Sequence, residues 1–483
     1  METAATATFR KRPPRRAPCR TVPMEGSTNI FAHQIETVEQ GISELLVGRV
    51  AGTTGLTLEV CDFPAPVGAL CLIRSRSGRK TPAQVVGFRS SHTLLMPLAE
   101  TVGVARGDEV TCESSRQSVG VGRDLLGRIL NGLGEPIDGK GPFHVEQYYP
   151  LIRPGPSAMQ RRRIDRPLVT GIRAIDAMAT VGLGQRLGIF AGTGVGKSVL
   201  MGMISRYTSA DVVVVALVGE RGREVGDFLT KDLGPEGLRR AVVVVSTSDE
   251  SPVLRVRACF LAAAVAEYFR DRGTDVLLLM DSLTRLAMAQ RQIGLTAGEP
   301  PATKGYPPSV FAMLPQLLER SGRTPTGSIT GFYTVLVEGD DITEPVADAT
   351  RGVLDGHVWL SRGLANRAHY PAISVLESIS RVMVDVVDRE HLAAAQIVKR
   401  VLATWQDIED LVNIGAYAAG TNPQFDLAVF GKPLIDEFLQ QRIEERVTMD
   451  QVRSGLLQLA GTLSAKSKQL HDEARVRQPA GVR

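Results

Sequence analysis

The chain is predicted to be an α/β protein in three parts: a small N-terminal β-barrel, a central parallel sheet flanked by helices, and a C-terminal α-helical domain. Three features of its 483 residues carry that prediction. Short β-rich runs separated by Gly and Pro come first. A long middle stretch then alternates β-branched runs with helical periodicity, and beyond about residue 389 the strands stop. Boundaries drawn at these changes are 28–115, 116–388 and 389–475, with a disordered basic tail over 1–27 and a short tail over 476–483.

The barrel is read from six runs, 45–50, 56–61, 69–73, 83–88, 93–98 and 109–112, whose spacing and turn residues suit short antiparallel strands. The turn-rich stretch 120–141, with Asn131-Gly132, Gly134 and Asp138-Gly139, is expected to be a connector. Strands at 211–218, 241–247 and 275–280 alternate with helices at 224–233 and 252–272, the order that builds a parallel sheet covered on both faces. Helical periodicity with mixed charge over 396–411 and 434–470 predicts the last domain.

Composition narrows the function classes. With 43% hydrophobic and 22% charged residues the chain reads as an ordinary soluble globular protein, and its apolar runs fall well short of the roughly 20 residues a membrane-spanning helix needs. A net charge of +4 makes no case for nucleic acid. The five cysteines are odd in number, scattered, and without a CxxC pair, which points to a reducing cytoplasm. Arg10, Lys11, Arg12, Arg15, Arg16 and Arg20 crowd the N-terminus without the apolar core of a secretory signal. A solvated extension is the first reading of that tail, and contact with a membrane surface or an acidic partner the second.

The chemistry centres on Ala191, Gly192, Thr193, Gly194, Val195, Gly196, Lys197 and Ser198, lying between the apolar run 187–190 and the helical run 199–204. A triphosphate needs several backbone N–H groups converging on its oxygens, and Gly192, Gly194 and Gly196 are expected to supply the unusual dihedrals and the room. Lys197 is placed to meet the β and γ phosphates and Ser198 to ligate Mg²⁺, with the helix dipole behind them. The pattern usually opens with Gly. Ala191 in that place asks only that a small Cβ be tolerated.

Asp281 ends the apolar run 276–280, which puts a carboxylate at the tip of a strand in the same sheet, where it is expected to hold Mg²⁺ directly or through water. Glu220 follows the run 212–218, and such a carboxylate can orient the water that attacks the γ-phosphate. The residues leave a second reading open, in which Glu220, Arg221, Arg223 and Glu224 are a surface ion-pair cluster opening a helix. Arg221 is carried as a candidate catalytic group on the first reading. Tyr370, before Pro371, is either a ring on which adenine lies or a buried tyrosine beside a turn proline. Composition alone selects no arginine finger.

Together these stretches resemble the hexameric family that includes the subunits of rotary ATP synthases and the ATPases of type III secretion. The resemblance runs from about residue 28 to 460 and is most specific at 190–198, 218–224, 278–285, 298–310, 327–341 and 355–362. The Pro-Pro-Ala-Thr-Lys-Gly-Tyr-Pro-Pro-Ser segment within 300–309 is similar to protein-export ATPases, and 377–383 and 410–417 to the flagellar export ATPase, with the injectisome homologue close behind. The synthase β subunit has an acidic segment that meets the rotating shaft, whereas 414–423 here is nearly uncharged, which disfavours a proton-driven synthase. The resemblance implies a RecA-like central domain and a cytoplasmic, peripherally membrane-associated homohexamer hydrolysing ATP with Mg²⁺. It also implies Glu220 as the water-activating carboxylate, Tyr370 facing adenine, and Arg381 reaching into the neighbouring subunit's site. Implied partners are a regulatory protein at the N-terminus, a coiled-coil stalk in the ring centre, an export gate, chaperones and exported flagellar proteins, and no nucleic acid. The rivals are an injectisome ATPase, a ring subunit that binds nucleotide without catalysis, and a nucleic-acid translocase.

Overall fold

The structure, a computed structural model, describes residues 46–115, 117–337, 341 and 343–477. The expected tail over 1–27, residues 28–45 of the expected barrel part, and 478–483 lie outside the described residues.

Six antiparallel strands close the barrel: β1 (Val47–Thr54), β2 (Thr57–Cys61), β3 (Leu70–Arg74), β4 (Lys80–Arg89), β5 (His92–Pro97) and β6 (Glu109–Ser114), in the order β1-β2-β5-β4-β3-β6. Closure leaves no unpaired edge. Alternate residues turn inward, so Val60, Ile73, Ala83, Val85, Leu95 and Val110 are fully buried and make a core of their own. Met96 and Leu98 at the end of β5 pack with Val253 and Leu254, which seats the barrel on the central domain.

The connector contributes more than turns. A ribbon pairs β7 (Ser118–Val121) with β9 (Gln147–Pro150), and between them β8 (Arg128–Leu130) joins the edge of the central sheet, parallel to the strand Ala241–Thr247. Three residues are too few for periodicity to announce a strand; neighbouring backbone fixes this one. A short pair, β10 (Pro167–Leu168) with β11 (Val181–Gly182), precedes the main strands. These are β12 (Arg186–Ala191), β13 (Val212–Glu220), β14 (Ala241–Thr247), β15 (Asp275–Asp281), β17 (Ser328–Leu336), β18 (Gly356–Leu360) and β19 (Ile373–Ser380), with β16 (Gly322–Arg323) on the side of β17. The sheet order is β19-β18-β12-β17-β15-β13-β14-β8, parallel throughout except where β19 turns back beside β18.

Such a sheet is buried on both faces, which is why its strands read as continuous apolar runs. Along β13 the side chains divide: Val213, Val215 and Leu217 enter one core, and Val212, Val214, Ala216 and Val218 the other. The helix Pro252–Asp271 covers the second face. At its far end Glu267 pairs with Arg320 at 2.8 Å, both about 1% exposed.

The C-terminal part is three helices, Arg389–Asn413, Pro423–Leu439 and Met449–Arg477. The single helix expected over 434–470 is therefore broken, since residues 440–448 leave the helix to contact the central domain. Val398, Ile435 and Leu456 belong to the same core as Ile175 and Leu360, so these helices share apolar burial with the sheet.

Candidate active site

In open parallel sheets the strand ends and the helix N-termini that follow them make the ligand crevice. Here β12 stops at the fully buried Ala191, and the helix Lys197–Tyr207 starts six residues later. Gly194 and Gly196 have φ of +77° and +94°, as the loop requires. Gly192 does not enter that region, which corrects the expectation for all three glycines: it directly follows the strand, ahead of the turn at 193–194. Val195, 2% exposed, anchors the loop in the core. The helix N-cap is Gly196, which has no side chain to engage the first helical N–H groups, so they stay free to face an anion.

Two neighbouring strands bring carboxylates to this loop. Asp281 at the tip of β15 is level with Leu217 of β13, so Glu220 lies three residues beyond, past a bulge at Gly219. The Lys197 ammonium hydrogen-bonds Asp281 and lies 3.7 Å from Glu220 Oε1. Thr334 Oγ1 on β17 donates to Asp281 Oδ1 at 2.7 Å. Arg285, in the first turn of the helix Leu283–Ala297, donates to the Gly219 carbonyl and to Glu220 Oε2 at 3.1 Å. Glycine at 219 is required twice over: its φ is +69°, and a Cβ there would come within 2.9 Å of Arg285 Cδ.

Glu220 is 8% exposed and Asp281 3%. Burial pushes the Glu220 carboxyl up to about 7, aided by a hydrogen bond with Glu224 and by the Asp281 charge, against Lys197 and Arg285. Glu224, the solvent-facing partner, is held below the usual carboxylate range by the same hydrogen bond. The ion-pair reading of 220–224 thus applies to its exposed members. The side chains of Arg221 and Arg223 are 80% and 91% exposed, with Arg221 4.0 Å from Glu224, and neither converges on Lys197.

Tyr370 is 47% exposed, which removes the alternative of a buried turn tyrosine. Its Cε1 lies 3.7 Å from where a Cβ on Gly196 would stand, so the ring borders the phosphate loop. Arg381 is at the other end of the sheet. Its N–H donates to the Asp355 carbonyl at 3.0 Å, and Asp355 N–H donates to the carbonyl of Arg186, where β12 begins. The register from Leu360↔Ile373 to Gly356↔Ser380 puts the length of β18, roughly 13 Å, between Arg381 and the loop end of the sheet.

Ser198 is exposed at the start of the loop helix, and among the described residues no cluster of three or more His, Cys, Asp or Glu is placed to hold a metal. The hydroxyl of Ser198 and the carboxylate of Asp281 are hard oxygen donors. Two of them suit Mg²⁺, which takes one or two protein ligands and completes its shell with phosphates and water. Residue-by-residue reading did not assign Arg285 or Thr334. Arg285 is visible four residues after Asp281, but only the crossing of β13 by the next helix shows that it reaches Glu220.

A glycine loop at a strand end, a lysine in its helix and a carboxylate on a neighbouring strand tip define a nucleoside-triphosphate-binding P-loop domain. Residues 171–380 match the ATP synthase alpha/beta family nucleotide-binding domain, 50–113 its beta-barrel domain, and 387–458 the T3SS EscN ATPase C-terminal domain. The chain is 51% identical over 416 residues to the "Flagellum-specific ATP synthase" of Treponema pallidum (strain Nichols), covering 86% of this chain and 93% of that one. It is 48% identical over 414 residues to the "Type 3 secretion system ATPase" of Xanthomonas euvesicatoria, covering 85% and 94%. Among solved structures, the assembled ATPase EscN from the enteropathogenic E. coli type III secretion system superposes with a TM-score of 0.81 at 41% identity, covering 86% of this chain and all of that one. The same ATPase in complex with its central stalk EscO gives 0.79 at 40% identity, with the same coverage. The chain belongs to the ATP synthase alpha/beta family.

Proposed function

We propose that this chain hydrolyses Mg·ATP at the subunit interfaces of a homohexameric ring and energises protein export by the flagellar type III apparatus. The observation that carries the reading is the pairing of Lys197 and Arg285 with the buried Asp281 and Glu220 at the loop end of the sheet, with Arg381 at the opposite end. The first four serve one protomer's nucleotide, whereas Arg381 is too distant to serve it. On the ring reading that opposite end faces the neighbouring protomer, where Arg381 supplies its charge in trans.

The geometry supports the following roles. Backbone N–H groups from Gly192 to Ser198 receive the phosphates, and Lys197 turns from Asp281 to the β and γ oxygens. Ser198 and Asp281 would hold Mg²⁺, which when bound neutralises charge developing on the transferring phosphoryl group. Glu220 orients the attacking water and accepts its proton, for which a carboxyl poised near neutrality is matched. Arg285 fixes the Glu220 carboxylate. Arg221, exposed and loosely paired with Glu224, is available to turn toward the phosphates. Tyr370 faces the adenine.

A ring subunit that binds nucleotide without catalysis would have no use for a buried, raised carboxylate at 220, and that rival is set aside. The injectisome reading keeps a specific support in the EscN-type C-terminal match over 387–458. Relatives named for the flagellum reach 51% identity, and EscN is solved with a central stalk. A stalk partner here would meet the weakly charged 414–423 segment, where Ile414 is 75% exposed. The regulatory protein, export gate, chaperones and exported proteins, and a place at the inner face of the cytoplasmic membrane, complete the proposal.

Phosphate release by the wild type, Lys197→Ala and Glu220→Gln, measured across protein concentration, tests it. A rate per subunit that climbs with concentration and collapses in both variants is expected. A wild type no faster than the variants at ring-forming concentration overturns the enzyme, and failure to restore motility to a strain lacking its flagellar ATPase overturns the flagellar assignment.

A further inference from the structure

We propose that Cys71 and Cys112 are a dithiol pair that peroxide converts into a disulfide across the wall of the barrel, a reversible covalent lock between β3 and β6. The inference stands apart from the nucleotide site.

The strand register sets Cys71 of β3 directly opposite Cys112 of β6. Opposed residues of antiparallel strands alternate between pairs that exchange backbone hydrogen bonds and pairs that do not. In the second kind the Cα atoms come to about 4.5 Å and the side chains are closer. This pair is of the second kind, because both residues turn their backbone groups away from each other. Cys112 N–H donates to the Leu46 carbonyl, on the β1 side, at 3.1 Å. The Ala69 carbonyl, two residues before Cys71 and so on the same edge of its strand, accepts from Val85 N–H of β4 at 3.0 Å. A disulfide needs Cα atoms about 4.4 to 6.8 Å apart and side chains on one side. Both side chains point inward. At 2% and 4% exposed they share the barrel core with Val60, Ile73 and Val110, and the Cys71 thiol donates a hydrogen bond to the Cys112 sulfur.

That hydrogen bond sets the order of events. The Cys112 thiolate is favoured by the Cys71 S–H and by Ser114 N–H, whereas Cys71, the donor, is held protonated. Burial pushes both thiols above the usual cysteine range, so the pair rests reduced and reacts slowly. Access comes at the adjoining bulge, where Glu113 is an extra residue in β6 and the ladder is broken, and hydrogen peroxide is small and uncharged. The Cys112 thiolate attacks one peroxide oxygen, the O–O bond breaks, and the departing hydroxide takes up a proton and leaves as water. Cys71, as thiolate, then attacks the sulfur of the Cys112 sulfenic acid, forming the S–S bond and expelling the oxygen as a second water. Two thiols lose two electrons and two protons; one peroxide becomes two waters. The bridge encloses β4 and β5, whose end seats the barrel on the central domain, and closing that loop restrains the open states of the barrel.

Peptide mapping of the native full-length protein after hydrogen peroxide, with remaining thiols blocked by N-ethylmaleimide in denaturant, tests this. The expected product is a dithiothreitol-sensitive link between Cys71 and Cys112, while Cys259, buried in the central core, stays a thiol. In Cys71→Ala a dimedone adduct should collect on Cys112, whereas Cys112→Ala should leave Cys71 unoxidised. Proteolytic cleavage between residues 71 and 112 should slow by about tenfold or more on oxidation and recover with dithiothreitol. The wild-type map needs no substitution, so it decides even where a variant fails to fold. Free Cys71 and Cys112 at a peroxide dose that oxidises the partly exposed Cys61 overturn the proposal, as does a link that forms only in urea. A link that leaves proteolysis unchanged overturns the lock.

Discussion

At the scale of single residues, the site depends on one lysine shared between two buried carboxylates. In a low-dielectric pocket Asp281 and Glu220 need cations to be charged together: Lys197 is shared between them, and Arg285 adds a second cation on Glu220, so that on the proposed role Glu220 keeps a partner when phosphates compete for the ammonium. Lys197→Ala should lower turnover by on the order of 10² to 10³, the usual cost of removing a charge-stabilising donor, and Glu220→Gln by about 10² to 10⁴. Initial phosphate-release rates read both.

The raised Glu220 carboxyl gives a pH dependence whose sign is fixed. In its proposed role as base Glu220 must be ionised to accept a proton, so kcat/KM should fall as pH drops through about 7. Glu224 contributes to that elevation by sharing a hydrogen bond. In Glu224→Gln the amide donates to the ionised form of Glu220, so the acid limb should move to lower pH while burial keeps it above an ordinary glutamate. A limb that stays put, or moves up, contradicts this assignment of cause.

At the scale of elements, the bulge in β13 does what no side chain could. By breaking register between Val218 and Glu220 it turns Glu220 into the site and opens a path for Arg285 across the strand. Gly219→Ala forces a Cβ into a left-handed backbone position and against Arg285. A stability loss of about 1 to 2 kcal/mol is expected in urea unfolding, together with a fall in kcat larger than the rise in KM. Farther from the chemistry, Arg320→Ala would leave the buried Glu267 with only the more distant Arg153, 4.0 Å away, and about 3 to 5 kcal/mol should be lost. Denaturant midpoints measure that loss, with the nucleotide site itself untouched.

At the scale of the whole molecule, the decisive fact is that Arg381 and the phosphate loop occupy opposite ends of one sheet. On the proposed reading, hydrolysis in a ring would use two chains per site. Arg381→Ala should cost about 10³ to 10⁵ in turnover. An equimolar mixture of Arg381→Ala with Lys197→Ala should regain part of the activity that each lacks, because some interfaces pair an intact lysine with an intact arginine. If the mixture stays silent, or Arg381→Ala alone keeps wild-type turnover, Arg381 does not act across the interface.

The sequence alone determined the fold class, because barrel strands, buried parallel strands and amphipathic helices each impose their own period on apolar residues. It also determined the phosphate loop, whose function lies in contiguous backbone, and the Asp281 strand tip, which a run of apolar residues announces. Tertiary structure alone decided what depends on contacts between distant segments. Three residues at 128–130 became a strand because β14 lay beside them. The helix expected over 434–470 broke because Gln441 bonds to Gly171 and Arg173. Glu220 separated from its surface neighbours, and Arg285 reached it, because a bulge and a helix crossing meet there. Periodicity records which face of an element is buried; it holds no record of which distant group will be waiting on the other side.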